Sequence, residues 1–242
     1  MRKEHSPEAI RIRLGSQRRP SLVRDAILGG TDGCVTTFAV VSGAIGGGLE
    51  GRVVIILGFA NLIADGFSMA ASNYLGAESV NEELERARAE ELRHIETVPE
   101  GEAEEVRQIF SAKGFQGDIL DKIVSVITGN KRIWVDTMVT EELGLQQGNA
   151  LPVRAAMATF TAFCIAGLIP LAPFLFPGVT AMGRFGSSCA ATAAAFYLIG
   201  YLKGKALRRS AWKSGLGTLA LGGTAAALAY GMGVLLGSIG GH

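Results

Sequence analysis

The sequence predicts an all-α, polytopic membrane protein with five transmembrane helices and a polar helical insert between the second and third. Three observations carry that reading. Five apolar stretches are each long enough to cross a bilayer, which takes about 20 helical residues. Residues 143–242 contain no Asp or Glu, a pattern that suits a lipid-facing surface and not a water-facing one. Lys and Arg fall almost wholly on one side of a five-span topology. Composition agrees: 48% of the 242 residues are hydrophobic, 19% are charged and 33 are glycine, where soluble domains average about 25% charged and roughly 7% glycine. A disordered chain, a disulfide-stapled secreted domain and a basic nucleic-acid binder are excluded. A formal net charge of +1 leaves no global field to gather polyanions.

The spans run roughly over residues 23–48, 53–75, 155–176, 180–202 and 215–239. The third and fifth carry no charge, and the fourth carries only Arg184, near enough to its start to reach the interface. Residues 1–22 form a basic segment without an apolar stretch, so no span reads as a cleaved signal peptide. No alternating strand pattern supports a barrel, so the backbone in lipid is helical. The chain therefore divides into the basic segment 1–22, spans one and two over 23–76, the insert over 77–150, and spans three to five over 151–242.

Orientation follows from the positive charges. Seven Lys and Arg come before or at the start of the first span (Arg2, Lys3, Arg11, Arg13, Arg18, Arg19, Arg24). Nine lie in the insert counted through Arg154, and five lie between the fourth and fifth spans (Lys203, Lys205, Arg208, Arg209, Lys213). A five-span count places these regions together, with only Arg52 and Arg184 opposite. Cytoplasmic loops carry the excess of Lys and Arg, so the amino terminus and the insert are expected in the cytoplasm. The bilayer would be the cell membrane in a prokaryote, and a vacuolar or other endomembrane in a eukaryote.

Acidic residues concentrate in the insert, where residues 78–142 hold 16 of the 22 Asp and Glu against 8 Lys and Arg. Charges of both signs alternate from Glu78 to Glu96, which predicts that the second helix continues beyond the membrane. Pro99 suits the first turn of a new helix reaching about Lys113 and stopping at Gly114. Further helices are expected over about 118–128, stopping at Gly129, and 131–143, stopping at Gly144. Glu91 and His94 are three apart, as are Glu102 and Glu105, and a hairpin turning at Pro99 would bring the two pairs face to face. Met138 and Glu142, four apart, share a face of the last helix. Carboxylates with one imidazole and a thioether suit divalent first-row metals better than calcium or magnesium. The competing account is an acidic helix that is simply solvated.

Two carboxylates, Asp32 and Asp65, lie deep in the first and second spans. Each costs about 2.5–3.5 kcal/mol at mid-membrane on insertion scales, which marks it as functional. Asn61, Asp65, Met69 and Asn73 recur every four residues as one stripe on an apolar helix. Hydrogen bonding between helices is the competing account of that stripe. Asp25 and Glu50 lie near helix ends and read as interfacial. Two aspartates are neutral with one divalent cation or with two protons, whereas the empty, doubly ionised pair is costly in low dielectric. That balance points to exchange of a divalent metal for protons.

The remaining features read as packing. Gly29 and Gly33, Gly43 and Gly47, and the series Gly223, Ala227 and Gly231 recur at the spacing of close helix contacts. Cys34, Cys164 and Cys189 sit singly inside spans, without the spacing of a metal or redox motif. Pro170, Pro173 and Pro177 mark a kink and the end of the third span. No catalytic triad, phosphate-cradling loop or nucleotide fingerprint is present, so a transporter without a catalytic cofactor is expected, and not an enzyme.

Arg24-Asp25-Ala26-Ile27-Leu28-Gly29-Gly30-Thr31-Asp32-Gly33 resembles the first-helix signature of the vacuolar iron transporter family (the nodulin-like and yeast calcium-complementing iron and manganese transporters). Ala64-Asp65-Gly66-Phe67-Ser68-Met69-Ala70-Ala71 is similar to the second-helix signature. Residues 91–105 around Pro99, and 134–145 ending Glu141-Glu142-Leu143-Gly144-Leu145, resemble the family's cytoplasmic metal-binding helices. The resemblance covers roughly residues 22–240. It implies a homodimer with the ion path near the dimer interface, and proton-coupled movement of ferrous iron or manganese out of the cytosol. It implies that Asp32 and Met69 line the path and that Glu91, Glu102, Glu105, Met138 and Glu142 bind metal. His94 stands where a glutamate is usual, Val139 where a second methionine can occur, and Ser72-Asn73 where Gly-Glu often follows. These departures bear on metal preference and the number of ions held.

Two other classes fit parts of the sequence. A membrane-anchored ferritin-like oxidase would use Glu91-x-x-His94, but di-iron bundles need two such motifs on separate helices and the sequence has one. A non-transporting scaffold would leave Asp32 and Asp65 without compensation in the bilayer.

Overall fold

A computed structural model describes residues 6–15, 22–145, 150–176 and 180–239. Pro177 and the basic residues Arg2, Lys3, Arg18 and Arg19 lie outside the described residues. Helices and turns make up those described, without a strand among them. The helices are α1 (Pro7–Gly15), α2 (Leu22–Gly46), α3 (Gly51–Thr97), α4 (Pro99–Ala112), α5 (Gly117–Thr128), α6 (Lys131–Glu141), α7 (Pro152–Leu171), α8 (Ala181–Ala206) and α9 (Ala211–Ile239). Five of them, α2, α3, α7 with a short 3₁₀ continuation (Ala172–Leu175), α8 and α9, are long and apolar enough to cross a membrane. The chain divides into two compact units, one of residues 21–75 with 152–242 and the other centred on 76–151.

In the first unit α2 packs against α7, α8 and α9. Its core joins Cys34, Phe38 and Val41 of α2 to Leu62 of α3, Phe163 and Leu171 of α7 and Phe196 of α8. Hydrocarbon gives apolar helices no solvent-driven reason to associate, so close backbone approach at small residues supplies the contact. A Cβ on Gly29 would lie 2.3 Å from the carbonyl oxygen of Thr159, and one on Gly33 would lie 2.3 Å from that of Phe163. Higher in the same helix, a Cβ on Gly46 would meet the Tyr230 carbonyl oxygen at 2.4 Å.

The glycine series expected on α9 is not the one that packs. Gly223 and Gly231 face open space. The close approaches come from Gly215 against the Tyr197 ring, Gly222 against the Phe196 ring, and Gly233 against the Gly43 carbonyl. With 3.6 residues per turn, moving one position along the helix rotates the face by about 100°. Adjacent glycines at 222 and 223 gave the sequence pattern no means of choosing between the two faces. Pro170 sits inside α7 and is fully buried, and its carbonyl accepts a hydrogen bond from Ser188 Oγ at 2.7 Å. Pro173 follows in the first turn of the 3₁₀ segment.

The second unit begins within α3, which is a single helix from Gly51 to Thr97. Pro99 opens α4, and Gly114 beyond its end adopts φ +97°, a left-handed conformation that only glycine takes without strain. Asn130 caps α6, its side-chain oxygen accepting from the Arg132 and Ile133 N–H groups at 3.0 and 3.2 Å. The core comprises Leu84 and Ile95 of α3, Val106 of α4, Leu120, Val124 and Ile127 of α5, and Trp134, Val135, Met138 and Val139 of α6. Ion pairs link these elements: Arg88 with Asp136 at 2.5 Å, Arg107 with Asp121 at 2.6 Å, Lys131 with Glu96 at 2.8 Å, and Lys113 with Glu141. The exposed pairs among these add at most about 1 kcal/mol each, so the apolar core holds the unit together.

The α2–α7 contact makes a testable contrast. Gly33→Ala is expected to destabilise the protein by about 1–3 kcal/mol, the usual cost of overpacking, because a backbone oxygen is the obstacle. Gly30→Ala, whose Cβ would make ordinary contacts at 3.7 Å, is expected to leave stability nearly unchanged. Thermal unfolding of the two variants in detergent checks the difference.

Candidate functional site

The hairpin between α3 and α4 builds the first site. The Val98 N–H bonds the His94 carbonyl at 2.8 Å, and the Glu102 N–H bonds the Val98 carbonyl at 3.2 Å, so the backbone turns within four residues. Glu91 and His94 approach from the end of α3, and Glu102 approaches from the start of α4. One ligand atom from each of the three lies within 4.8 Å of the others. His94 Nδ1 is 3.6 Å from Glu102 Oε1. Glu91 is only 4% exposed and Glu102 only 7%. The Oε2 atom of each is buried and has no hydrogen-bond partner among the described residues. Buried polar atoms are normally paired, and an unpaired carboxylate oxygen is costly.

Glu105 and Glu142 are exposed, but their charges act on the cluster. Burial first, then Glu142, Glu102 and Glu105, push the Glu91 carboxyl up to about 7, with His94 acting in the opposite sense. Glu102 and Glu142 are also raised, by burial first and then by Glu105. Several carboxylates elsewhere in the unit, such as Glu96, Asp121 and Glu141, are paired with basic side chains. Met138 is fully buried in the unit's core, and Glu142 begins one turn later, its N–H bonded to the Met138 carbonyl at 2.9 Å.

The second set lies in the membrane helices. Asp32 is half-buried on α2, Asp65 is exposed on α3, and they lie close enough for their charges to interact. Asn61 Nδ2 donates to Asp65 Oδ2, while Thr37 Oγ1 donates to Asn61 Oδ1 at 3.3 Å. At the other end of the stripe Asn73 Nδ2 donates to Asp25 Oδ1 at 3.2 Å and to Thr159 Oγ1 at 2.7 Å. The two asparagines thus bond between helices, as the competing account holds, while Met69 sits half-buried against the apolar core. Asp25 is more than an interfacial charge, since it shares Asn73 with a fully buried threonine. Sequence reasoning missed this node. The available signal was Asn73 itself, an amide at the end of an apolar helix that needs partners.

The VIT family matches residues 23–234, a stretch that takes in both sets of carboxylates. The chain belongs to the VIT family. It is 34% identical over 224 residues to a vacuolar iron transporter of Toxoplasma gondii, covering 88% of this chain and 74% of that one. It is 33% identical to vacuolar iron transporter 2 of Oryza sativa subsp. japonica over 87% of this chain and 86% of the relative. With vacuolar iron transporter 1 of Arabidopsis thaliana the identity is 33%, over 86% and 84%.

The raised Glu91 carboxyl sets the sign of a pH effect in this VIT family member. Between its ordinary value of 4.5 and about 7 the folded chain holds a proton there that the unfolded chain has lost. Stability therefore falls as pH rises through that window. Chelator-treated protein is expected to show decreasing hydrogen-exchange protection in residues 91–105 from pH 5 to 7.5, and Glu91→Gln is expected to flatten the trend.

Proposed function

We propose that the protein moves ferrous iron, manganese or both out of the cytosol in exchange for protons, as a homodimer with its amino terminus and insert in the cytoplasm. The observation that carries this reading is the pair of buried, unpaired carboxylate oxygens of Glu91 and Glu102 converging with His94. A divalent cation there satisfies both oxygens and offsets the mutual repulsion of Glu91, Glu102, Glu105 and Glu142. An imidazole among carboxylates favours first-row transition metals over calcium and magnesium. Relatives named vacuolar iron transporters argue for iron as cargo. In this reading the insert captures metal with Glu91, His94, Glu102, Glu105, Met138 and Glu142, and Asp32, Asp65 and Met69 carry it through the bilayer.

Proton coupling rests on charge balance. Asp32 and Asp65 hold either one divalent cation or two protons in a neutral state, so returning empty and doubly ionised is the unfavourable step. The dimer rests on exposure. Asp65 is solvent-accessible on the face of α3 that also carries Asn61 and Met69. A carboxylate facing hydrocarbon costs about 2.5–3.5 kcal/mol, and a second protomer across that face removes the cost.

Proteoliposomes with a pH gradient and a pH-sensitive dye test the proposal, with iron and manganese supplied separately and in competition. Metal uptake is expected to be matched by opposite proton movement. Asp32→Asn is expected to slow uptake at least about tenfold, and Glu102→Gln to raise the half-saturating metal concentration about tenfold or more. Full uptake by Asp32→Asn, or uptake without proton movement, overturns the antiport reading.

A further inference from the structure

We infer that the first unit holds an anionic phospholipid in paired grooves between the start of α2 and the end of α8. Two open-sided grooves of about 490 and 430 Å³ meet there and share Val23, Ile27 and Ala206 as a common wall. Their floors are apolar, with Ile199 and Leu202 in one and Leu28 and Leu207 in the other. Cations border both, Lys205 in the first and Arg24 with Lys203 in the second. None of these three makes an ion pair with another described residue, and all three are exposed. Arg208 and Arg209 follow in the α8–α9 loop and Lys213 in the first turn of α9, and the chain from residue 143 onward offers no Asp or Glu to neutralise them.

That combination selects the occupant by chemistry. Two apolar channels separated by a shared wall accept the two hydrocarbon chains of one lipid, and cations at both mouths accept its phosphate. A zwitterionic lipid gains little, because its own ammonium group opposes Lys203 and Lys205. Basic pockets between membrane helices are a recurrent means of holding anionic headgroups. The site lies at the first turns of α2, the helix that carries Asp25 and Asp32, so an occupied groove braces α2 against α8. Each cation near an anionic surface contributes roughly fivefold to affinity, so neutralising three is expected to cost on the order of a hundredfold.

Native mass spectrometry of the full-length protein, exchanged into mixed micelles of phosphatidylglycerol and phosphatidylcholine with matched chains, tests the inference. Wild type is expected to retain phosphatidylglycerol preferentially, and the triple variant Arg24→Gln, Lys203→Gln, Lys205→Gln is expected to lose the preference. Lys203→Arg with Lys205→Arg is expected to keep it. Ala206→Trp fills the shared wall while leaving every charge in place, and it is expected to lose retention as well. Circular dichroism melting confirms that each variant is folded, and the charge-preserving variant supplies a folded reference if the triple variant is not. Three results overturn the inference. In the first, Ala206→Trp retains phosphatidylglycerol as wild type does, which reduces the effect to general surface charge. In the second, Ala206→Trp changes the oligomeric mass, which makes the grooves an interface between copies. In the third, millimolar inorganic phosphate displaces the lipid, which makes the cations a free-anion site.

Discussion

The approach of α2 to α7 at Gly29 and Gly33 is the constraint on which the membrane unit depends. Two carbonyl oxygens of α7, from Thr159 and Phe163, occupy the positions where side chains of α2 would begin. Lipid offers no hydrophobic reward for this contact, so its strength comes from dispersion at close range and from the bonds it allows. Thr159 shows how the two are linked. Its carbonyl abuts Gly29, its hydroxyl accepts from Asn73 of α3, and Asn73 also reaches Asp25 of α2. One fully buried residue thus ties three helices, and the tie exists only because the glycines let α7 come close. Asp32, one position before Gly33, is held on the helix so fixed.

The insert solves the opposite problem. Its core is an ordinary apolar one, built from α3, α4, α5 and α6, beside which Glu91 and Glu102 are buried with one oxygen each lacking a partner among the described residues. In the proposed reading, the Glu91 carboxyl, raised to about 7, takes metal in competition with its proton. In the proposed cycle, metal affinity and pH are therefore linked at this cluster before any transport step.

Hydropathy, charge and punctuation residues made the helices legible in the sequence. Pro99 opens α4, Asn130 caps α6, and Gly114 and Gly144 take left-handed conformations just past helix ends. What stayed hidden depends on rotation about a helix axis or on partners distant in sequence. Gly222 and Gly223 differ by one position, yet only Gly222 packs, against Phe196. Gly129, expected to end α5 as Gly114 ends α4, keeps a right-handed φ of −69°, so its identity marked the break but not its geometry. The proximity of Glu91, His94 and Glu102 was legible because a hairpin fixes it locally. The Asp25–Asn73–Thr159 node was not, since its members are 48 and 86 residues apart.

The two sets of carboxylates differ in a way that bears on the proposed direction of movement. At the insert, an imidazole and two buried carboxylates converge beside two exposed ones, a set whose net negative charge attracts a cation from water. In the membrane, Asp32 and Asp65 supply only the charge needed to neutralise a divalent ion, and Asn61 already occupies part of Asp65 through a hydrogen bond. In the proposed cycle the insert is thus the higher-affinity collector and the membrane pair the weaker, more easily vacated carrier. A tight site within the bilayer would trap the ion, whereas a weak one hands it on when protons arrive. In that cycle the amide of Asn61 competes for the carboxylate oxygen that the departing metal leaves.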